Sequence, residues 1–319
     1  MPGKLTSRTV HIDKPLTNLA IGFEASNFIV DQIFPSVSVN KESDLYFKYD
    51  KGDFFRLPDS TLRAPKTKGR AIEFSVSSET YFVKNYALRE EIAFETLANQ
   101  DAPLKLERKT VAHLMGLLML DWETRVASLI LTTGNVGSST TLSGVNQWNN
   151  GESNPVEDIE TGKDAVISTT GKKANLLILG HQVFTKLIHH PDLLERIKYV
   201  QKGVVSKDIL ATVFDVDRVI VGSAITNTAN EGATDAFSFV WGKHALLAHV
   251  TNTADPDGKD PSFGYSFRWN NPKLGSAPFA VQRWDDPDGG DYTNVRVQYY
   301  QDEKITASEL SYLIADAVA

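Results

Sequence analysis

The sequence predicts an α+β fold, and three stretches carry that reading. Between Pro103 and Leu131, the residues Val111, Met115, Leu118, Trp122, Val126 and Leu129 recur at helical steps of three and four. ANLLILG (Ala174 to Gly180) is a short apolar run closed by glycine, the pattern of a buried strand. PFAVQRWDDPDGGDYTNVRVQYYQ (Pro278 to Gln301) alternates on both sides of Asp285 to Asp291, as two strands of a hairpin would.

The long helical pattern organises the chain. Asp101 is placed to cap it, Pro103 sits in the first turn, and Gly134 follows its end. A rod of that length would run roughly 43 Å at ~1.5 Å per residue. The expectation is that Val111, Met115, Leu118, Trp122 and Val126 pack on the chain's own sheet. Glu107, Lys109 and Arg125 would then lie nearer a surface.

Composition narrows the function. With 41% hydrophobic residues in 319, the chain has material for a sizeable core. A net charge of −7 argues against a protein built to grip phosphates. The absence of cysteine removes disulfides, thiolate metal sites and thiol nucleophiles together. No apolar run has the length of a signal peptide core or a membrane span, so a soluble chain made in the cytoplasm is expected.

Taken in order, residues 1–44 read as an arm. Within it NFIVDQIFPSVSV, interrupted by Pro35, is an apolar segment that packs on something. Residues 45–84 read as a long hairpin. Its middle is aromatic and then basic, and Gly52, Pro58, Pro65 and Gly69 break it. Loops of this length carry function or are disordered. Aromatic and basic residues together also suit single-stranded nucleic acid, but no recognition motif accompanies them. NYALREEIAFETLANQ reads as a short helical lead-in to the rod. From Pro155 helices and strands alternate, with Ser206 as an N-cap and Arg218 to Gly222 as a strand. SELSYLIADAVA is apolar to its last residue and is expected inside a core.

No catalytic constellation appears. GxSxG, HExxH and a phosphate loop are missing, and the adjacent His189 and His190 would diverge on a helix. Two acidic turns place carboxylates two residues apart beside glycine. Asp255 and Asp257 in one, and Asp286 and Asp288 in the other, are weak candidates for a hard cation. Ordinary turn chemistry explains them as well.

The order of these elements resembles the major capsid proteins of tailed bacteriophages, a family whose fold recurs in encapsulins and the herpesvirus capsid floor. The resemblance spans nearly the whole chain. It rests on the arm, the long loop, YALREEI before the rod, NPVEDIETGKDAVISTTGKKANLLILGHQVFTKLIHHPDLLERIKY, FDVDRVIVGSA, FVWGKHALLAHV and YLIADAVA. It implies an N-terminal arm (1–44), an extended loop (45–84), a peripheral domain (85–154) with its spine helix at 103–131, and an axial α/β domain (155–276). A peripheral-domain hairpin (277–303) and a C-terminal return (304–319) complete it.

The function implied is a shell protein, not an enzyme. It would assemble as pentamers and hexamers into an icosahedral capsid around double-stranded DNA, inside the host cytoplasm. It would need no cofactor and touch the packaged DNA only weakly. Expected partners are other copies of itself, a separate scaffolding protein, a portal and decoration proteins, with no membrane. Inter-subunit contacts are expected from Phe28, Ile33, Phe34, Phe54, Phe55, Arg56, Lys66, Arg70, Asp286 and Asp288. Lys66, Lys68 and Asn294 also have the chemistry of a cross-link known in some members. An encapsulin-type compartment and a hydrolytic or metal-dependent α/β enzyme are the alternatives.

Overall fold

A computed structural model describes residues 11–12, 28–49, 52, 55–58, 61–69, 71–73, 75–99, 106–197, 206–251, 261–271, 279–285 and 291–319. Phe54, Arg70, Asp255, Asp257, Asp286, Asp288 and the expected cap Asp101 lie outside these residues.

Two sheets flank one long helix. The first is built on β14 (Tyr292–Ile305), which pairs antiparallel with β13 (Ala280–Asp285), β5 (Lys84–Ala93) and β12 (Gly264–Trp269). β1 (His11–Ile12) extends it beside β13, and β2 (Ser36–Val39) runs parallel to β12. In the predicted hairpin, Trp284 faces Asn294 and Asp285 faces Thr293. The second sheet is mixed, in the order β6 (Ser138–Thr141), β15 (Ser311–Ala315), β11 (Ala245–Ala248), β7 (Leu176–Gly180) and β8 (Arg218–Gly222). β7, β11 and β15 are buried along their whole length, which explains their unbroken apolar sequences. A third pair, β3 (Ser43–Tyr49) with β4 (Val76–Phe82), forms the base of the extended loop. β9 (Ile225–Asn227) and β10 (Phe237–Phe239) make a small hairpin.

The segment around Pro35 is only partly extended: a short helix α1 (Val30–Ile33) precedes β2. The lead-in to the rod is another departure. NYALREEIA is strand β5, and only α2 (Phe94–Ala98) is helical. Its ten residues all pair with β14, and that ladder overrides the local helical preference. The sheets also cross the expected boundaries: β6, from within 85–154, joins the mixed sheet, and β12, from within 155–276, joins the first.

The rod is α3 (Leu106–Ile130). Val111, Leu114, Met115 and Leu118 pack against Ile92, Val281, Val295, Val297 and Tyr299 of the first sheet. Trp122, Val126, Ala127 and Ile130 pack instead with α1 and with Leu176, Ile178, Ile220, Leu246 and Leu313 of the mixed sheet. One amphipathic stripe therefore serves two cores, each burial worth ~1.5–3 kcal/mol per large side chain.

The other face of the mixed sheet carries Leu177, Leu179, Val221, Leu247 and Ile314. They are covered by α4 (Pro155–Thr170), α5 (His181–Leu187), α6 (Pro191–Ile197) and α7 (Lys207–Phe214). Ser206 caps α7 by accepting the amide of Ile209 at 3.4 Å. Gly162 lets α4 sit close to the sheet, because a Cβ there would come within 2.7 Å of the Tyr312 ring.

Arg125 corrects the expectation of a surface residue. It donates to Glu303 at 2.6 Å, to the Tyr299 hydroxyl at 2.7 Å and to Asp121 at 2.9 Å, and it lies over the Tyr86 ring. Burial opposes its charge, but Glu303, Tyr299 and Asp121 together raise its pKa. Glu303 has its own pKa raised by burial, against the pull of Arg125. Glu107 is likewise engaged, by Arg283 at 2.9 Å, whereas Lys109 is exposed.

Candidate inter-subunit interface

The extended loop presents apolar side chains to solvent. Leu57 is 88% exposed and Leu62 91%, and Leu45, Phe55, Ile72 and Phe82 are also exposed. Among the described residues, the loop's burial lies at its base, where Tyr46 and Tyr81 pack on Phe267 of β12. Burial and the hydroxyl's 2.6 Å bond to Glu79 both raise the pKa of Tyr46. The Phe55 ring lies beside the Gly171 turn that ends α4 of the same chain. Arg56 and Lys66 are exposed. Lys66 has a left-handed φ of 65° in a turn closed by the Thr67 amide donating to Ala64 O at 3.2 Å.

A second surface runs along α3 on the side away from its sheet. Phe28, Ala112, His113, Gly116, Leu117, Leu120, Ser223, Ala224 and Ile225 line an open groove of about 430 Å³. Apart from His113, the rod is apolar on all sides between Ala112 and Leu120, but here only one side is covered by the subunit's own sheet. Leu117 and Ile225 are the exposed apolar residues of this groove.

The nominated contact residues thus divide. Phe55, Arg56 and Lys66 are exposed on the loop, and Phe28 is half-buried in the groove. Ile33 and Phe34 are corrected. Both are completely buried within the subunit, with Phe34 against Phe263, and so are not on its surface. Their neighbours are distant in sequence, so the apolar run gave no sign of which partner it met. Leu57, Leu62 and Ile72 were not nominated, although large apolar residues among prolines and basic residues are a visible signal. Asn294 is buried in its own sheet, and its Oδ1 has no hydrogen-bond partner among the described residues.

Among the described residues no group of acidic or histidine side chains could hold a metal ion, and no helix is long and apolar enough to cross a membrane. His190 sits in a turn before α6, not on a helix. It is buried, its Nδ1 accepts the amide of Asp192, and its Nε2 lies 3.0 Å from Asn150 O and 3.1 Å from Ser153 Oγ. Since Nδ1 accepts, the proton is on Nε2, which therefore cannot act as a base toward Ser153. The cluster is a clasp that holds the 150–153 turn against α6.

No protein-family model matches the sequence. Individual proteins do. The chain is 30% identical over 271 residues to the major capsid protein of Burkholderia phage BcepMu, covering 83% of this chain and 86% of that protein. It is 28% identical over 316 residues to the major capsid protein of Pseudomonas phage JBD67, with 97% of each covered. Among solved structures it is similar to a phage-related protein from Bordetella bronchiseptica, with TM-score 0.75 and 26% identity over 97% of this chain and 98% of that one. A virus-like particle from Pyrococcus furiosus shares the fold at TM-score 0.54 and 12% identity, over 94% and 96% of the two chains.

The fold is that of viral shell proteins. Within that class, the chain belongs to the family of tailed-phage major capsid proteins. It is a structural component of the virion capsid and not an enzyme.

Proposed function

We propose that this chain assembles through pentamers and hexamers into an icosahedral shell around the double-stranded DNA of a tailed phage. The observation that carries the reading is the extended loop, whose Leu57 and Leu62 leave 88% and 91% of their surface exposed. Apolar side chains held out on a long hairpin gain ~1.5–3 kcal/mol each only when a partner covers them. Laid on the adjacent subunit around each axis, such a loop makes the repeating heterologous contact that closes a shell.

In this assignment α3 is the spine helix, and the first sheet with β5 and the β13–β14 hairpin forms the peripheral domain. The mixed sheet with α4 to α7 forms the axial domain, at the five- and six-fold centres. Packaged DNA meets the wall only through weak, non-specific contact, consistent with a net charge of −7. Scaffolding, portal and decoration proteins are the further partners that this role implies.

Negative-stain microscopy of the purified chain tests the reading. Closed shells, or rings of five and six, are expected. A monodisperse monomer under assembly conditions would refute it.

A further inference from the structure

Glu123 is wholly enclosed on α3, and among the described residues it forms no salt bridge. Its Oε2 accepts the amides of Ile29 and Val30, each at 3.1 Å. Its Oε1 accepts the Ile29 amide at 3.3 Å and the indole N–H of Trp241. One carboxyl thus ties together the start of α1, the long helix, and the turn between β10 and β11. A charge buried without a cation is costly, even when hydrogen-bonded.

The surrounding charges do not relieve that cost. Asp31 on α1 is negative and acts against ionisation of Glu123. Arg268 on β12 lies over the Trp122 ring, and burial lowers its pKa against the pull of Asp31, Tyr299 and Glu303. His244, in the turn that bears Trp241, is held toward its neutral form by burial, against the pull of Asp316. On α3 itself Arg125 and Asp121 pair with each other, and Arg125 also binds Glu303. Burial therefore outweighs the hydrogen bonds from Trp241, Ile29 and Val30, and the carboxyl's pKa is pushed up to about 7.

We propose that Glu123 is a proton-held latch: protonated, it fixes the 28–34 segment and the Trp241 turn to α3, and ionised, it loosens them. A protonated carboxyl keeps acceptor capacity on both oxygens, so all three N–H donors stay paired when the charge is gone. The sign follows from linkage. Once the segment lifts, the carboxyl meets water and returns to an ordinary value near ~4.3. Between that value and the closed-state value, the closed form binds more protons. Closure is therefore favoured at low pH and weakens as pH rises through the closed-state value. The opening constant should rise roughly 10- to 30-fold between pH ~5.5 and ~8. Ile29, Val30, Ile33 and Phe34 of this segment are buried in the closed form and hold it down, so opening remains a minor population at either pH.

Hydrogen exchange of the Ile29 and Val30 amides in the full-length chain, corrected for intrinsic rates, reads the latch directly. Protection should fall by that factor from the lower to the higher pH, and in Glu123→Gln it should not change with pH. A flat profile in the parent chain, or the same slope in the variant, would overturn the proposal. Asp31→Asn changes an exposed residue and serves if Glu123→Gln does not fold. Removing that negative charge should move the midpoint to lower pH, and an unmoved midpoint would also overturn it.

Discussion

Leu118 and Leu62 are the same residue type at opposite extremes. Leu118, on α3, is 3% exposed and locked against the first sheet, whereas Leu62, on the extended loop, is 91% exposed. The rod's apolar residues hold the subunit together. Leu57 and Leu62 on the loop bury little surface in the subunit, so their apolar area gains most if another copy covers it. Substitutions in the two regions should therefore separate folding from assembly.

The largest effect is expected in the rod's second core. Phe34→Ala should cost about 3–5 kcal/mol of subunit stability in chemical denaturation, since it empties a fully buried site beside Phe263. Near-normal stability for that variant would mean that the arm does not belong to the core. Arg125→Ala should cost about 3 kcal/mol, because Glu303 is left buried and without its cation. Arg125→Lys should recover only part of this, as a single ammonium cannot reproduce three directed contacts. Full recovery would show that charge alone matters there. Gly222→Ala should cost about 2 kcal/mol. A Cβ at that position would fall 2.0 Å from the Trp241 ring, so strand or indole must shift.

The smallest effect on the subunit should come from the loop. Leu57→Ser with Leu62→Ser is expected to change subunit stability by less than ~0.5 kcal/mol. The same pair should nonetheless abolish or greatly slow shell formation in light scattering. Unimpaired assembly would remove the loop from the contact. A large loss of subunit stability would show that the loop docks on its own chain, as the position of Phe55 beside Gly171 would then suggest.

The long helix, the buried strand ending at Gly180, the hairpin around Asp285 to Asp291 and the Ser206 cap were all legible in the residues. Each depends on local periodicity or on a single turn, and neighbours along the chain report those directly. The burial of the C-terminal stretch was legible for a related reason, since Tyr312 to Ala315 are consecutively apolar. Strand β5 was not, because its state is set by a ladder to residues some two hundred positions away.

The exposure of the candidate contact residues was legible only in part. Sequence pointed to this loop through its length, its prolines and its aromatics, the structure leaves its apolar residues exposed, and the resemblance supplied a use for it. It misassigned Ile33 and Phe34, because an apolar residue looks the same whether its cover comes from its own chain or from another.

What the sequence determined by itself was therefore most of the elements, their order and, through that order, the family. Only the tertiary structure decided how the single stripe of α3 divides between two cores, that Arg125 turns inward, and that Glu123 joins three remote segments without a cation. Periodicity is a property of neighbours in the chain, while burial, pairing and the state of a carboxyl depend on groups that meet only after the chain has folded.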